Sequence, residues 1–352
     1  MADIFHVITD MGVGGAGVLL SHLLSSDSER LGSLVVLPEE SLLCSLLEEK
    51  DISYLTFPTK KECSLSFLDT CRIGRILEAH MPRLVVSHAS MSSRLAAKRL
   101  KIPTLSVRHC DTPIRPLGVP LYNAVTDATI ATSRPLAEHL RAAGVKKVHA
   151  IENGHTAMGV PTKKRRQAAR AALAFPEECT VIGLSGRLSP IKGQETALRA
   201  LSLLGEGKER FLLCFLGKGE DEGRLRRLSY ELGVENRVRF LGYSPDVRRF
   251  YHAIDAHICC SLGSETASLA LAEGMSAGCP TLASDTEGNR ARVGKGGVFF
   301  PPGDAVALKR LFLSLLDEKA RMRLARRARL WADGLPTWEE MREDYRRIFD
   351  AF

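Results

Sequence analysis

No stretch of this sequence reaches the ~20 uninterrupted apolar residues of a membrane-spanning helix. Its first residues, MADIFHVITDMGVGGAG, place no basic cluster ahead of an apolar run. Neither a membrane span nor a secretory leader is therefore expected, and the protein is read as cytoplasmic. Aromatic residues are scarce, at 6% of 352 residues, so Leu, Ala and Val must fill the cores. The nine cysteines (Cys44, Cys63, Cys71, Cys110, Cys179, Cys214, Cys259, Cys260, Cys279) are odd in number and include no C-x-x-C. That argues against a disulfide framework or a zinc ribbon and for buried free thiols. No D-x-D occurs, so no metal is expected at the site. Short-period repeats and low-complexity tails are also missing.

What is present is an ordinary globular composition, 45% hydrophobic and 26% charged with a net charge of +8. The length suits two core-bearing domains. The basic excess is uneven: residues 1–155 hold 17 Lys+Arg against 16 Asp+Glu, residues 156–352 hold 32 against 25. A basic second half suits an anionic ligand or surface. Its two local runs, Lys163–Arg166 and Arg321 to Arg329, lack the interleaved aromatics of a single-strand nucleic-acid platform and read as solvated helix faces. No nucleic-acid partner is expected.

Short apolar runs alternate with amphipathic stretches. IFHVIT, SLVVLP, RLVVSH, TLSVRH and ATIATS read as strands; after a basic, Ala-rich segment the pattern restarts with TVIGLSG, FLLCFLG, RVRFLG, AHICCS and TLASD. Helix-like stretches such as TALRALSLL and DEGRLRRLSYEL follow them. This alternation predicts an α/β protein with parallel sheets covered on both faces, in two Rossmann-like halves. Asn153-Gly154 reads as a tight turn closing the first half. In the last segment, TWEEMREDYRRIFDAF, Thr337 is placed to cap a helix with Glu340 completing a capping box.

Gly12-Val13-Gly14-Gly15-Ala16-Gly17 fits G-x-G-x-x-G between a predicted strand and helix, and Glu39 closes the next strand 22 positions beyond Gly17. These residues alone suit an NAD-binding domain. Their physics is more general, because any phosphorylated ligand can use a glycine loop leading into a helix N-terminus. In the second half, Arg187 and Lys192 lie on GRLSPIKG, a strand-to-helix loop where two cations could neutralise a diphosphate. Glu265 and Glu273 are separated by seven residues, with a helix start at Ser268 between them. The amides near Ser268, Leu269 and Ala270 would face an anion, with one carboxylate on either side to bind hydroxyls.

As an ordered set, GRLSPIKG, FLGKGEDEGRLRRLSYELGVENRVRFLGY, AHICCS, the paired-glutamate helix and AGCPTLASD resemble the retaining glycosyltransferases of the GT-B fold known as family four, over about residues 180–303. GVGGAG, VVSHASMSSRLAAKRLKIPTLSVRH and ENG at 152–154 are consistent with its N-terminal domain. The resemblance implies two Rossmann-like domains facing across a cleft. The N-terminal, acceptor-side domain would span residues 1–154 and the nucleotide-sugar domain 155–334, with a C-terminal helix in 335–352 returning to the first domain.

It implies roles as well. Arg187 and Lys192 would hold the donor diphosphate, Glu273 the ribose and Glu265 the sugar hydroxyls. Gly14 and Gly15 would bring amides to the diphosphate or the acceptor, Gly242-Tyr243 would meet the nucleobase, and His109 would face the donor sugar. His88, closing the preceding strand, is a second histidine candidate. A Cys110–His109 nucleophilic pair is poor, because adjacent strand residues point to opposite faces. The sequence departs from the family at Thr266, Ala267, Gly274 and Glu287, which bears on the donor sugar more than on activity. The implied reaction is transfer from a UDP- or GDP-linked sugar to an acceptor hydroxyl, with retention and no cofactor. The implied acceptor is a cell-envelope glycan or a lipid-linked acceptor, with peripheral contact to an anionic membrane at its inner face. Rival readings are an NAD-dependent oxidoreductase, a sugar-nucleotide epimerase and a non-catalytic binding protein.

Overall fold

Strands buried on both faces must be covered by helices on both sides, and this chain builds two such sheets. The structure, a computed structural model, describes residues 3–25, 32–59, 63–244, 246–263 and 266–352. It divides into one unit of residues 1–154 with 336–352 and a second of 155–335.

In the first unit the strands are β1 (Ile4–Ile8), β2 (Ser33–Pro38), β3 (Tyr54–Phe57), β4 (Leu84–His88), β5 (Thr104–Arg108), β6 (Ala128–Ala131) and β7 (Val148–Ala150). They form one parallel sheet in the order β3-β2-β1-β4-β5-β6-β7. The interleaved helices are α1 (Gly15–Leu24), α2 (Leu43–Glu49), α3 (Phe67–His80), α4 (Met91–Arg99), α5 (Val119–Ala124) and α6 (Arg134–Ala142). Strand order reverses between β1 and β4, and ligands of open parallel sheets bind beyond the carboxyl ends of strands at such a switch point.

The second unit opens with α7 (Lys163–Ala172). Its strands β8 (Thr180–Ser185), β9 (Phe211–Leu216), β10 (Val238–Phe240), β11 (Ala256–Cys259), β12 (Thr281–Ser284) and β13 (Val298–Phe300) are ordered β10-β9-β8-β11-β12-β13, all parallel. The switch point lies between β8 and β11. The helices are α8 (Gln194–Ser202), α9 (Glu222–Glu231), α10 (Val247–Ala253), α11 (Leu269–Ser276), α12 (Glu287–Val293), α13 (Ala305–Ser314) and α14 (Glu318–Ala332). Phe211, Phe215, Leu225 and Phe312 fill the core on one face of the sheet; Val181, Cys214, Phe250 and Tyr251 fill the other.

The last helix, α15 (Trp338–Phe349), has the capping box of Thr337 and Glu340 and belongs to the first unit. Arg83 donates to the Phe349 carbonyl at 3.0 Å and Arg342 to that of His22 at 3.0 Å. The His22 ring stacks on Trp338 at 4.2 Å. This explains Gly154 differently from the sequence reading. No turn forms there; a Cβ on Gly154 would lie 2.6 Å from the Trp338 Cα and 2.7 Å from the Thr337 carbonyl. The glycine lets the entry to α15 pass.

Three strands escaped the hydrophobic pattern, namely β3, β7 and β13, and each is a sheet edge. Edge strands are short and half-solvated, so their sequences lack a continuous apolar run. The basic runs are also less free than solvated faces would be. Arg166 and Arg170 clamp Asp255 at 2.6 and 3.0 Å, and Arg329 donates to the Ser276 carbonyl. All nine cysteines are free thiols, but Cys63 and Cys110 are exposed rather than buried. Among the described residues no helix is long and apolar enough to cross a membrane.

Candidate functional site

In the second unit, backbone hydrogen bonds zip the loops at the carboxyl edge of the sheet. After β8, the Gly186 amide donates to the Leu216 carbonyl at 2.9 Å and the Leu188 amide to that of Lys218 at 3.0 Å. The Gly217 amide donates to the Gly242 carbonyl at 2.8 Å, which ties in the segment bearing exposed Tyr243. The Leu262 amide donates to the Ile191 carbonyl at 2.8 Å. At the last crossing the glycine is obligatory. Gly193 has φ +64°, and a Cβ there would stand 2.2 Å from the Cys260 carbonyl oxygen. The loops after β8, β9, β10 and β11 therefore meet along one edge.

This edge presents the two cations. Arg187 is exposed and its Nε sits 3.1 Å from Glu220 Oε2, itself exposed. Such an ion pair contributes at most about 1 kcal/mol, so a diphosphate can displace Glu220. The Gln194 amide nitrogen holds the Arg187 carbonyl at 2.9 Å. Lys192 ends a short 3-10 turn, Pro190–Lys192, and is half-buried.

Helix α11 starts where the spacing predicts. Ser268 caps it by accepting from the Leu271 amide at 3.4 Å. The first-turn amides of Leu269 and Ala270 have no acceptor within the helix, the usual condition of a helix start. Glu273, a turn further in, accepts from the Tyr251 hydroxyl at 3.0 Å. Tyr251 also meets Ser185 Oγ at 2.7 Å, and Ser185 lies 3.1 Å from His257 Nε2. Glu273 is thereby tied to the end of β8, two residues before Arg187. Burial pushes the Glu273 carboxyl up to about 7, against the pull of the Tyr251 hydroxyl and Arg292. Burial alone pushes His257 down to about 3.

Tyr251, Ser185 and His257 were missed by the sequence reading. One signal was available: Gly274 stands where the family prefers alanine, and a Cβ there would lie 2.8 Å from His257 Nδ1. Glycine 274 and histidine 257 go together. Gly274→Ala is expected to cost about 1–3 kcal/mol by overpacking. Most of that loss should vanish in the Gly274→Ala, His257→Ala double variant, because contacting residues couple. Additive losses in denaturant melts would reject the contact.

Glu265 lies outside the described residues. A cavity of about 210 Å³ is lined by Leu241 and Ser244, on either side of Gly242-Tyr243, with Leu173, Leu216, Asp246, Arg249 and Phe250.

In the first unit, Gly14 and Gly15 are exposed at the start of α1, and a Cβ on either would meet nothing within 4 Å. Open backbone of this kind can approach a ligand closely. Gly17 is instead a packing residue, with Leu43 3.1 Å from its virtual Cβ. Glu39 is exposed at the end of β2. Cys110 Sγ turns to Thr112 Oγ1 at 3.2 Å. His88 and His109 are not alternatives. His88 Nδ1 lies 3.0 Å from His109 Nε2, and His88 Nε2 lies 3.2 Å from His6 Nδ1. Burial and the Arg108 charge push His109 down to about 4; burial pushes His6 down to about 3.

Residues 165–331 match the family Glycosyl transferases group 1, and residues 32–156 match Glycosyltransferase Family 4. Among similar proteins is LpsE of Rhizobium meliloti, a lipopolysaccharide core biosynthesis glycosyltransferase, 29% identical over 58% of this chain and 59% of its own length. LpsD of the same organism, with the same description, is 30% identical over 65% and 63%. The chain thus spans about three-fifths of the length of these relatives. Among solved structures, Anabaena HepE in complex with UDP and glucose superposes with a TM-score of 0.87 at 20% identity, over 100% of both chains. WaaG, a glycosyltransferase involved in lipopolysaccharide biosynthesis, gives 0.76 at 15% over 97% and 98%. At these identities the two structures speak to the fold.

Proposed function

This chain belongs to the group 1 glycosyltransferases, with their GT-B fold, and on that premise we propose that it moves a sugar from a UDP- or GDP-linked donor to an acceptor hydroxyl. The observation that carries this reading is the zipped edge of the second sheet. Arg187, Lys192 and the start of α11 lie on it, with Glu273 tied to its rim.

In the reaction the bond from the anomeric carbon to the diphosphate oxygen breaks, and a bond to the acceptor oxygen forms. The acceptor loses its proton, and negative charge grows on the leaving diphosphate. Arg187, Lys192 and the amides of Leu269 and Ala270 stabilise that charge from fixed positions. In this reading they do so without a metal, and the sugar keeps its anomeric configuration. Glu273 accepts from the ribose hydroxyls and Tyr243 borders the base. Glu265 accepts from the sugar. Gly14, Gly15 and His109 serve the donor or acceptor from the first unit. The lipopolysaccharide-core role of LpsE and LpsD supports an envelope glycan or lipid-linked acceptor. The basic balance of residues 156–352 suits peripheral contact with an anionic membrane from the cytoplasmic side.

A thermal-shift series with UDP, GDP and NAD tests the donor class. A nucleoside diphosphate at 100 times its Kd should add about 2.7 kcal/mol of stability. A shift with NAD and none with either diphosphate would establish the oxidoreductase reading instead. Turnover of UDP-sugar into an epimer without acceptor would favour the epimerase.

A further inference from the structure

Three histidines form a staircase across the first sheet. His6 pairs in register with Val86 of β4, and His88 stands two residues further along that strand. His88 pairs in register with Val107 of β5, and His109 stands two residues further again. Side chains two apart share a face, so the three rings climb one face from the middle of β1 to the carboxyl edge. Their contacts are 3.2 Å and 3.0 Å between ring nitrogens, and His6 and His88 are fully buried. Immediately after His88, Ala89 holds φ +60°. Strained backbone of this kind persists where the surroundings demand it.

We propose that His88 is a positioning residue that, backed by His6, holds His109 in its Nδ1–H tautomer and so fixes that atom as a hydrogen-bond donor. Burial keeps all three rings neutral, so each has one N–H. Two of these fill the two nitrogen–nitrogen contacts, and the third must sit at one end of the chain. The inner end, His6 Nε2, is buried with no hydrogen-bond partner. Its ring faces Phe349 edge-on at 5.7 Å, which offers no oxygen or nitrogen acceptor. Buried donors without acceptors are rarer than buried acceptors without donors. The third proton therefore belongs at the outer end. His6 Nδ1–H donates to His88 Nε2, His88 Nδ1–H donates to His109 Nε2, and His109 bears its proton on Nδ1. With its proton held there, Nδ1 is a hydrogen-bond donor and does not remove a proton as a base. The consequence for transfer rests on the proposed role of His109; the tautomer does not.

Nitrogen-15 NMR of the full chain labelled at histidine reads which ring nitrogen bears hydrogen. At pH 7 the expected result is N–H on Nδ1 of all three rings. A proton on Nε2 of His109 in the wild-type protein overturns the proposal without any variant. His88→Asn keeps an amide donor near the position of the imidazole Nδ1 and should preserve the His109 tautomer. His88→Leu should release it to the Nε2–H form favoured in water; retention of Nδ1–H in the leucine variant also overturns the proposal. Consumption of UDP-glucose as a probe donor supplies the second arm. His88→Leu should lower kcat at least tenfold with little change in KM, and His88→Asn should recover most of it. Tautomer release with unchanged kcat would uphold the histidine chain and remove His109 from the reaction.

Discussion

Replacing Lys192 or Arg187 by alanine is expected to lower turnover of the nucleotide sugar by about two to three orders of magnitude. Both cations lie on the loop that leaves β8, and hydrogen bonds to two other loops hold its backbone. The loop backbone that carries them is therefore in place before charge develops. Removing one fixed stabiliser of transition-state charge costs about 2.7–4 kcal/mol in comparable sites. Arg187 already has an exposed carboxylate partner, Glu220, so the diphosphate must displace an ion pair to reach it. Glu220→Gln removes that competitor and should tighten UDP binding several-fold, an effect lost in the Arg187→Ala background. Cys110→Ser leaves turnover intact, since Cys110 turns to Thr112. The measurement is steady-state kinetics with UDP titration of each variant. Wild-type rates in both cation variants would move the diphosphate site elsewhere.

These residues were legible because their chemistry is local. A strand, a loop with two cations and a helix start can be read from twenty consecutive residues. The buried central strands were legible for a related reason: a continuous apolar run marks them whatever their neighbours are. Where meaning depends on a distant segment, the reading stopped. Gly154 looked like a turn because its real cause, the entry to α15, lies more than 180 residues away. His88 and His109 looked like competitors because sequence does not give register. Once Val107 is known to pair with His88, the two rings become one chain that extends to His6. The support behind Glu273 was hidden in the same way. Ser185, Tyr251 and His257 come from β8, α10 and β11, and only the sheet order places them together. The Gly274 departure was the visible trace of that cluster, a gap for a ring not yet located.

That cluster sets the second large effect, on nucleotide binding. Glu273→Gln should weaken UDP-glucose binding by about 1.5–3 kcal/mol, roughly tenfold to over a hundredfold, because hydrogen bonds to a charged acceptor are lost. The wild type should also bind in a pH-dependent way. Burial holds the Glu273 carboxyl at about 7, and two ribose hydroxyls need the ionised form, with both oxygens accepting. Between pH 6 and pH 8 the ionised fraction rises about tenfold, and affinity for UDP-glucose should rise with it. UDP-glucose is the right ligand because its diphosphate is esterified at both ends and does not titrate in this range. Stability runs the other way. A carboxyl raised in the folded state stabilises the protein fully below its unfolded value of 4.5, and that contribution is lost as pH rises towards 7. Glu273→Gln removes this dependence, so above pH 7 the variant should melt no lower than the wild type while binding more weakly. Glu265→Gln, whose role is the one the family resemblance implies, should lower turnover and leave UDP affinity unchanged, because UDP offers no sugar to contact. Calorimetric titrations across pH decide the matter. Affinity for UDP-glucose that stays flat from pH 6 to 8 in the wild type would mean the nucleotide does not rest on Glu273. The Ser185–Tyr251 bridge would then serve only to brace α11 against β8.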